Sequence, residues 1–270
     1  MAPDELGRIE LECRAFLIED HGRRILLETG IGAFFEPALR ARYGVLEDRH
    51  VLLDSLSALG LTDADIDLVV LSHLHFDHAG GLLAAYRANS APALLFPRAR
   101  FVVGRRAFER AQHPHPRDRA SFIPGLCELL EQSGRLTLVE PEDASRILGP
   151  AFEFVETDGH TPGMLHTHVR GSRGSAIFAA DLIPGRAWIH LPVTMGYDRY
   201  PELLVDEKKV MLDSVLERDG LLLFTHDADC SASAISVDER GRYAARDSAS
   251  RLRAWDLDTS ARPGAVSDKG

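Results

Sequence analysis

Ser72-His73-Leu74-His75-Phe76-Asp77-His78-Ala79-Gly80-Gly81 places four candidate metal ligands within six residues. Just upstream, Ile66-Asp67-Leu68-Val69-Val70-Leu71 is short, apolar and β-branched, the pattern of a buried strand. The cluster therefore starts where a strand ends, and Ala79-Gly80-Gly81 lets the backbone turn tightly into a helix. Strand alternation sends His73 and His75 to the same side. The turn that follows swings Asp77 and His78 toward a neighbouring point, so one stretch can serve two adjacent metals. The competing reading is a polar loop with chance histidines. The density of ligand types on a strand-to-helix turn argues against it.

The rest of the composition bounds the class. The chain has 270 residues, enough for one large domain or two small ones with a real core. A net charge of −10 weighs against a nucleic-acid partner, which needs a clustered basic face, and against an anionic membrane surface. Cys13, Cys127 and Cys230 are far apart and form no C-x-x-C pair, so neither a disulfide framework nor a thiolate zinc site is expected. The acidic start Met1-Ala2-Pro3-Asp4-Glu5 is unlike a signal peptide, and there is no apolar run of about 18 residues to span a membrane. These features point to a cytoplasmic protein with neither a nucleic-acid nor a membrane partner, and a homodimer is compatible with them.

Along the chain, residues 8 to 20 alternate and lead through Asp20-His21-Gly22 into Arg24-Ile25-Leu26-Leu27, a hairpin pattern. Residues 48 to 59 read as an amphipathic helix capped by Asp48 and stopped by Gly60. Further strands are expected at 101–104, 136–139, 152–155, 165–169, 176–180 and 221–224, with a helix over 201–219 and a closing hairpin over 233–244. Residues 105 to 132 read as two helical pieces broken by His113-Pro114-His115-Pro116, with the charged piece 117–122 as a solvated loop. The expected organisation is one domain over 1–245. A polar tail over 246–270 is expected to be poorly ordered apart from docking by Leu252 and Trp255.

Three later stretches repeat the grammar of a ligand just after an apolar strand. They are Asp158-Gly159-His160-Thr161, Phe178-Ala179-Ala180-Asp181 and Leu223-Phe224-Thr225-His226-Asp227. Ligands at the carboxyl ends of strands converge on one sheet edge. Five histidines and two aspartates suffice for two metals sharing a bridging carboxylate.

The ordered set His73-x-His75-x-Asp77-His78, His160, Asp181 and His226 resembles the metallo-β-lactamase-fold hydrolases. The resemblance spans roughly residues 10 to 245. It implies an α+β fold, a four-layer αββα sandwich of two mixed β-sheets with outer helices. It also implies that His73, His75 and His160 hold one metal, that Asp77, His78 and His226 hold the other, and that Asp181 bridges them. His-Leu-His-Phe-Asp-His-Ala-Gly-Gly and Asp181-Leu182-Ile183-Pro184 look most like the acyl-homoserine-lactone lactonase and organophosphate-hydrolase-like branch. Pro184 departs from that branch, where a tyrosine is usual, and Glu28-Thr29-Gly30 stands where the family usually has Asp-Thr-Gly.

The expected activity is hydrolysis of an ester, lactone or related bond of a small molecule by a metal-bridging hydroxide. Two divalent ions are expected, zinc first, with iron or manganese compatible with the same ligands. Asp77 and Asp181 are the expected catalytic carboxylates, Asp77 as a proton carrier to the leaving group. Glu28, Thr161 and Asp227 are candidates to orient the imidazoles. His190 and Tyr197 are candidates for the substrate pocket. Phe34, Phe35 and Phe122 are read as core, and His21, His50, His113, His115, His166 and His168 as ordinary surface, loop or strand residues. The alternatives are a glyoxalase-II-like thioesterase and an iron-dependent sulfur dioxygenase on the same fold.

Overall fold

The first hairpin shows how local chemistry sets register. Strand β1 (Phe16–Asp20) and strand β2 (Arg23–Leu27) pair antiparallel, with Asp20 opposite Arg23. The two residues between them, His21 and Gly22, both have positive φ (47° and 78°). That is the two-residue turn whose twist matches the strands it joins. The computed structural model describes residues 3–263.

The chain divides into two compact units. The first, Ala15–Glu140, continues through α1 (Pro37–Tyr43), α2 (Val51–Ala58), β3 (Leu68–Leu71) and the one-turn helix α3 (Phe76–Ala79). Strand β4 (Arg100–Gly104), α4 (Arg105–Gln112), α5 (Leu126–Gln132) and β5 (Leu136–Val139) complete it. Its sheet runs β1-β2-β3-β4-β5, antiparallel at the hairpin and parallel thereafter. All four residues of β3 are buried, as expected of a central parallel strand, and the core around it includes Leu26, Phe96, Phe101, Phe108 and Leu130.

The second unit takes the described residues up to Arg14 and those from Pro141 on. It contains α6 (Ala144–Ile147), β6 (Phe152–Thr157), β7 (Met164–Arg170), β8 (Ser175–Phe178) and α7 (Pro201–Glu217). Strands β9 (Leu221–Leu223), β10 (Ala232–Val237) and β11 (Tyr243–Ala249) follow. The six-stranded sheet has order β11-β10-β9-β8-β7-β6, with β8 and β9 parallel and the other pairs antiparallel. Two mixed sheets with helices are the α+β architecture the sequence suggests. Among the described residues no helix is long and apolar enough to cross a membrane.

Three local expectations change. Helix α2 is capped by His50, not Asp48: the His50 ring accepts from the Leu53 amide at 3.4 Å. His50 is also buried, its Nε2 3.0 Å from the Gly81 carbonyl, because it ties α2 to the glycine turn behind the ligand cluster. The tail from 246 is not loose over its described length. Residues 246–249 finish β11, and the Leu257 carbonyl accepts from Arg173 and Gly174 at 3.0 and 2.8 Å. Leu257 packs where Gly171 and Gly174 have no side chains, a close approach the sequence does not advertise. The expectation for 264–270 lies outside the described residues.

Gly80 and Gly81 serve close packing more than turning. A Cβ at Gly81 would lie 2.1 Å from the Thr29 carbonyl oxygen, and Gly80 has an ordinary right-handed φ of −63°. Gly81→Ala is therefore expected to destabilise the fold by about 2–3 kcal/mol through overpacking. Urea denaturation read by circular dichroism checks this, and an unchanged midpoint would contradict it.

Candidate metal centre

The candidate ligands form two half-sites, one in each unit. In the first, β3 delivers the chain buried as far as Ser72, and His75 remains extended at the start of α3 (φ −66°, ψ 154°). His73, His75 and His78 are buried, with the His73 ring centroid 4.4 Å from that of His75 and 4.1 Å from that of His78. Asp77 is half-buried, its Oδ2 3.8 Å from His78 Nε2. His75 also pairs with Phe122 in a single antiparallel bridge, and their rings meet edge to face at 4.8 Å. Segment 117–122 is thus anchored at Asp118 and Phe122, while Arg117, Arg119 and Ala120 are exposed as a solvated loop requires. The Arg110 guanidinium bonds the buried Asp118 carboxylate from Nε at 3.0 Å, holding the segment to α4.

Glu28 supports this half-site from β2. It is wholly buried, at φ 65°, a left-handed conformation that costs a non-glycine residue on the order of 1 kcal/mol. In return Oε1 accepts from the Ser72 amide at 2.6 Å and Oε2 faces His78 Nδ1 at 3.4 Å. Thr29 donates its amide and hydroxyl to the His78 carbonyl at 3.0 and 2.9 Å. The Ser72 hydroxyl lies 2.9 Å from His73 Nδ1.

The second half-site gathers His160, Asp181 and His226, all buried. His160 lies between β6 and β7, Asp181 in a single 3₁₀ turn after β8, and His226 after β9. His160 Nδ1 is 2.8 Å from Asp198 Oδ1, and His226 Nδ1 is 2.5 Å from the Glu12 carbonyl oxygen. Both partners are acceptors, so Nδ1 carries a proton in each ring, and in the neutral ring Nε2 carries the lone pair. These Nε2 atoms face opposite oxygens of one carboxylate: His160 Nε2 is 3.4 Å from Asp181 Oδ2, and His226 Nε2 is 3.1 Å from Asp181 Oδ1. Lone pair then opposes lone pair in a buried setting, an arrangement that a cation between them relieves. The donor set of imidazole nitrogens and carboxylate oxygens fits a divalent ion.

The other predicted residues fall differently. Asp227 does not orient an imidazole; it holds Arg186, accepting from Nε and Nη2 at 2.8 Å each and from the Arg186 amide at 2.9 Å. The guanidinium is the main opponent of burial at Asp227 and leaves its carboxyl below the usual range. The Thr161 hydroxyl is buried with no hydrogen bond among the described residues. His190 is exposed, and Tyr197, 56% exposed, sets its ring 6.0 Å edge-on from that of His160. Phe34, Phe35, Tyr43 and Phe76 form a chain of ring contacts with centroids 4.3 to 5.3 Å apart, beside the first half-site rather than in the deep core.

His166 and His168 are strand positions, as read, but both are engaged. His166 Nε2 bonds the Thr157 hydroxyl at 2.8 Å. His168 Nε2 lies 2.9 Å from the Ser175 hydroxyl, and its Nδ1 lies 2.8 Å from Arg218 Nη1 and 3.3 Å from Glu153 Oε2. The spacing mimics a serine–histidine–glutamate triad. The arginine is a pure donor, however, so Nδ1 must accept and Nε2 must carry the hydrogen. His168 therefore has no lone pair for Ser175, and the group is structural. Sequence reasoning missed Asp198, Ser72 and Glu12 as supports. A carbonyl acceptor such as that of Glu12 has no sequence signal at all.

With this geometry in view, comparison with known proteins decides the family. Residues 8–240 match the metallo-beta-lactamase superfamily. The chain belongs to that superfamily. Similar curated proteins include an N-acyl homoserine lactonase from a Bacillus species, 25% identical over 244 residues and covering 85% of this chain and 86% of its own. A probable metal-dependent hydrolase from Staphylococcus aureus superposes with a TM-score of 0.77 at 25% identity, over 91% of this chain and 86% of that one. The structure of AidC, a dizinc quorum-quenching lactonase with a bound product, has a TM-score of 0.68 at 22% identity, over 87% and 79% of the two chains. The superfamily member described here is a metal-dependent hydrolase.

Two expected outcomes follow from the half-sites. Asp198→Ala should weaken zinc binding roughly 10- to 100-fold, as loss of an imidazole-orienting carboxylate does elsewhere; competition with a chromophoric chelator measures this, and an affinity equal to wild type would count against the Asp198 contact. Burial pushes His166 down from 6.5 to about 4. Below pH 6.5 the unfolded chain therefore takes up a proton before the folded one, so stability is full above 6.5 and is lost as pH falls toward 4. The interval from 6.5 to about 4 bounds this loss at about 3 kcal/mol. Thermal melts from pH 7 to 4.5 should show a shallower decline for His166→Gln than for wild type, and parallel declines would refute it.

Proposed function

We propose that the two half-sites together form one dinuclear centre, with His73, His75 and His160 holding one ion, Asp77, His78 and His226 the other, and Asp181 bridging them. The observation that carries this reading is Asp181, whose two oxygens each face the Nε2 of a different histidine, at 3.4 and 3.1 Å. A carboxylate so placed would offer one oxygen to each ion. When bound, two divalent ions such as zinc supply Lewis-acid polarisation and lower the pKa of a water to about 7.

The chain's own residues do the rest. Asp198, Glu12, Glu28 and Ser72 meet Nδ1 of His160, His226, His78 and His73, so four imidazoles present Nε2 in fixed orientations. Asp77 is the carboxylate of its half-site that retains solvent exposure, which suits it to carry a proton to a departing alkoxide. Phe35, Tyr43, Phe76 and Phe122 give the first half-site an apolar wall, suited to a substrate with an acyl or aryl arm.

The function we infer is hydrolysis of a lactone or related ester of a small, partly apolar molecule. The lactonases among its relatives support the bond type, and the aromatic wall supports the apolar arm. The test is a panel of lactones, aryl esters, thioesters, phosphotriesters and β-lactams on protein of measured metal content. Lactones with apolar arms should turn over fastest, with about two metals per chain. His75→Ala and Asp181→Ala should each lower kcat/KM at least about 100-fold. A wild type without stoichiometric metal, or either variant at full activity, overturns the proposal.

A further inference from the structure

Two adjacent residues of α7, Glu207 and Lys208, make opposite kinds of backbone contact. Glu207 accepts with both oxygens, from the Asp158 amide at 2.8 Å and the Gly159 amide at 2.9 Å. These are the two amides immediately before His160. The same turn is pressed onto the helix: a Cβ at Gly159 would lie 2.4 Å from the Leu204 Cα. Lys208 is wholly buried on the stripe shared with Leu204 and Leu212, where an apolar residue is the norm. Its ammonium donates to the carbonyls of Trp188, His190 and Val193 at 2.9, 3.3 and 2.6 Å. Burial pushes this lysine down to about 8, with the Asp198 carboxylate opposing the shift. A charge kept there at such cost, on three carbonyls of one loop, is expensive for packing alone.

The loop that Lys208 grips runs from just after Asp181 to Asp198. Its far end returns to the His160 turn: the Arg199 amide donates to the His160 carbonyl at 3.2 Å, and the Tyr200 amide to that of Gly159 at 2.8 Å. One helical turn thus touches both the turn that carries His160 and the loop that carries Trp188, His190 and Asp198.

We propose that Glu207 and Lys208 are positioning residues with separable tasks: Glu207 sets the metal affinity of the His160 position, and Lys208 sets substrate selection through the 188–193 loop. The inference rests on the metal-hydrolase reading above. Glu207→Gln keeps the size of the side chain but sets a donor against one of the two donor amides. It should weaken zinc binding at least tenfold in a chelator competition, with an unchanged circular dichroism spectrum. Lys208→Met keeps the stem and removes the three hydrogen bonds. It should leave zinc affinity within about twofold and raise KM for apolar-arm lactones at least tenfold, with kcat within threefold.

A merely structural role would move kcat and KM together and would not separate the two variants. A wild type that binds no zinc defeats the metal-hydrolase reading. A wild type that binds zinc while Glu207→Gln matches it, or a Lys208→Met without the KM-against-kcat split, defeats only this inference. Lys208→Gln, which retains a neutral donor, stands in if Lys208→Met does not fold. If neither folds, Lys208 is structural and the proposal fails.

Discussion

A buried carboxylate caught between two imidazole nitrogens governs the second half-site. Asp181 is buried in low-dielectric protein, where a charge must be compensated by its surroundings. With Nδ1 of each ring donating to Asp198 or to the Glu12 carbonyl, a neutral imidazole turns a lone pair, not a donor, toward it. A cation between the carboxylate and the two nitrogens would compensate that arrangement. The strand ends, the turn before His160 and the N-terminal segment beside His226 all serve to maintain that confrontation.

Holding donors in this way is paid for in backbone freedom. Glu28 takes a left-handed conformation so that one carboxylate can reach both the Ser72 amide and His78. Gly81 gives up a side chain so that the ligand turn can lie on Thr29. Gly159 does the same beside Leu204, so that the turn before His160 can lie on α7. Strain and close approach at a ligand-bearing segment are how a pre-organised site is held. The glutamate at position 28, longer than the family's usual aspartate, fits this role because its extra methylene lets one group span two contacts.

Much of this was legible in the residues. The seven candidate ligands could be named because ligand-type side chains follow apolar strands four times over. The hairpin at His21-Gly22, the β3 run and the span of α7 followed from alternation, glycine and helical spacing. The failures share a cause. His50 looked like a surface histidine because nothing local says that its ring meets Gly81. Asp227 looked available to a neighbouring imidazole because Arg186, distant in sequence, claims it. The tail looked loose because its partner is a pair of glycines at the β7–β8 turn. The serine–histidine–glutamate mimic at Ser175 is disarmed only by Arg218.

The sequence by itself determined which side chains are available for chemistry, and it placed them at strand ends, because periodicity and ligand identity are local properties. It also determined the family, since the order of the ligands is written along the chain. Tertiary structure alone decided how each imidazole is oriented, which carboxylates support rather than coordinate, and why a lysine lies buried in α7. Those outcomes depend on which distant donor or acceptor arrives at hydrogen-bonding distance. Several of the deciding groups, such as the carbonyls of Glu12 and Trp188, belong to the backbone, which is the same in every sequence.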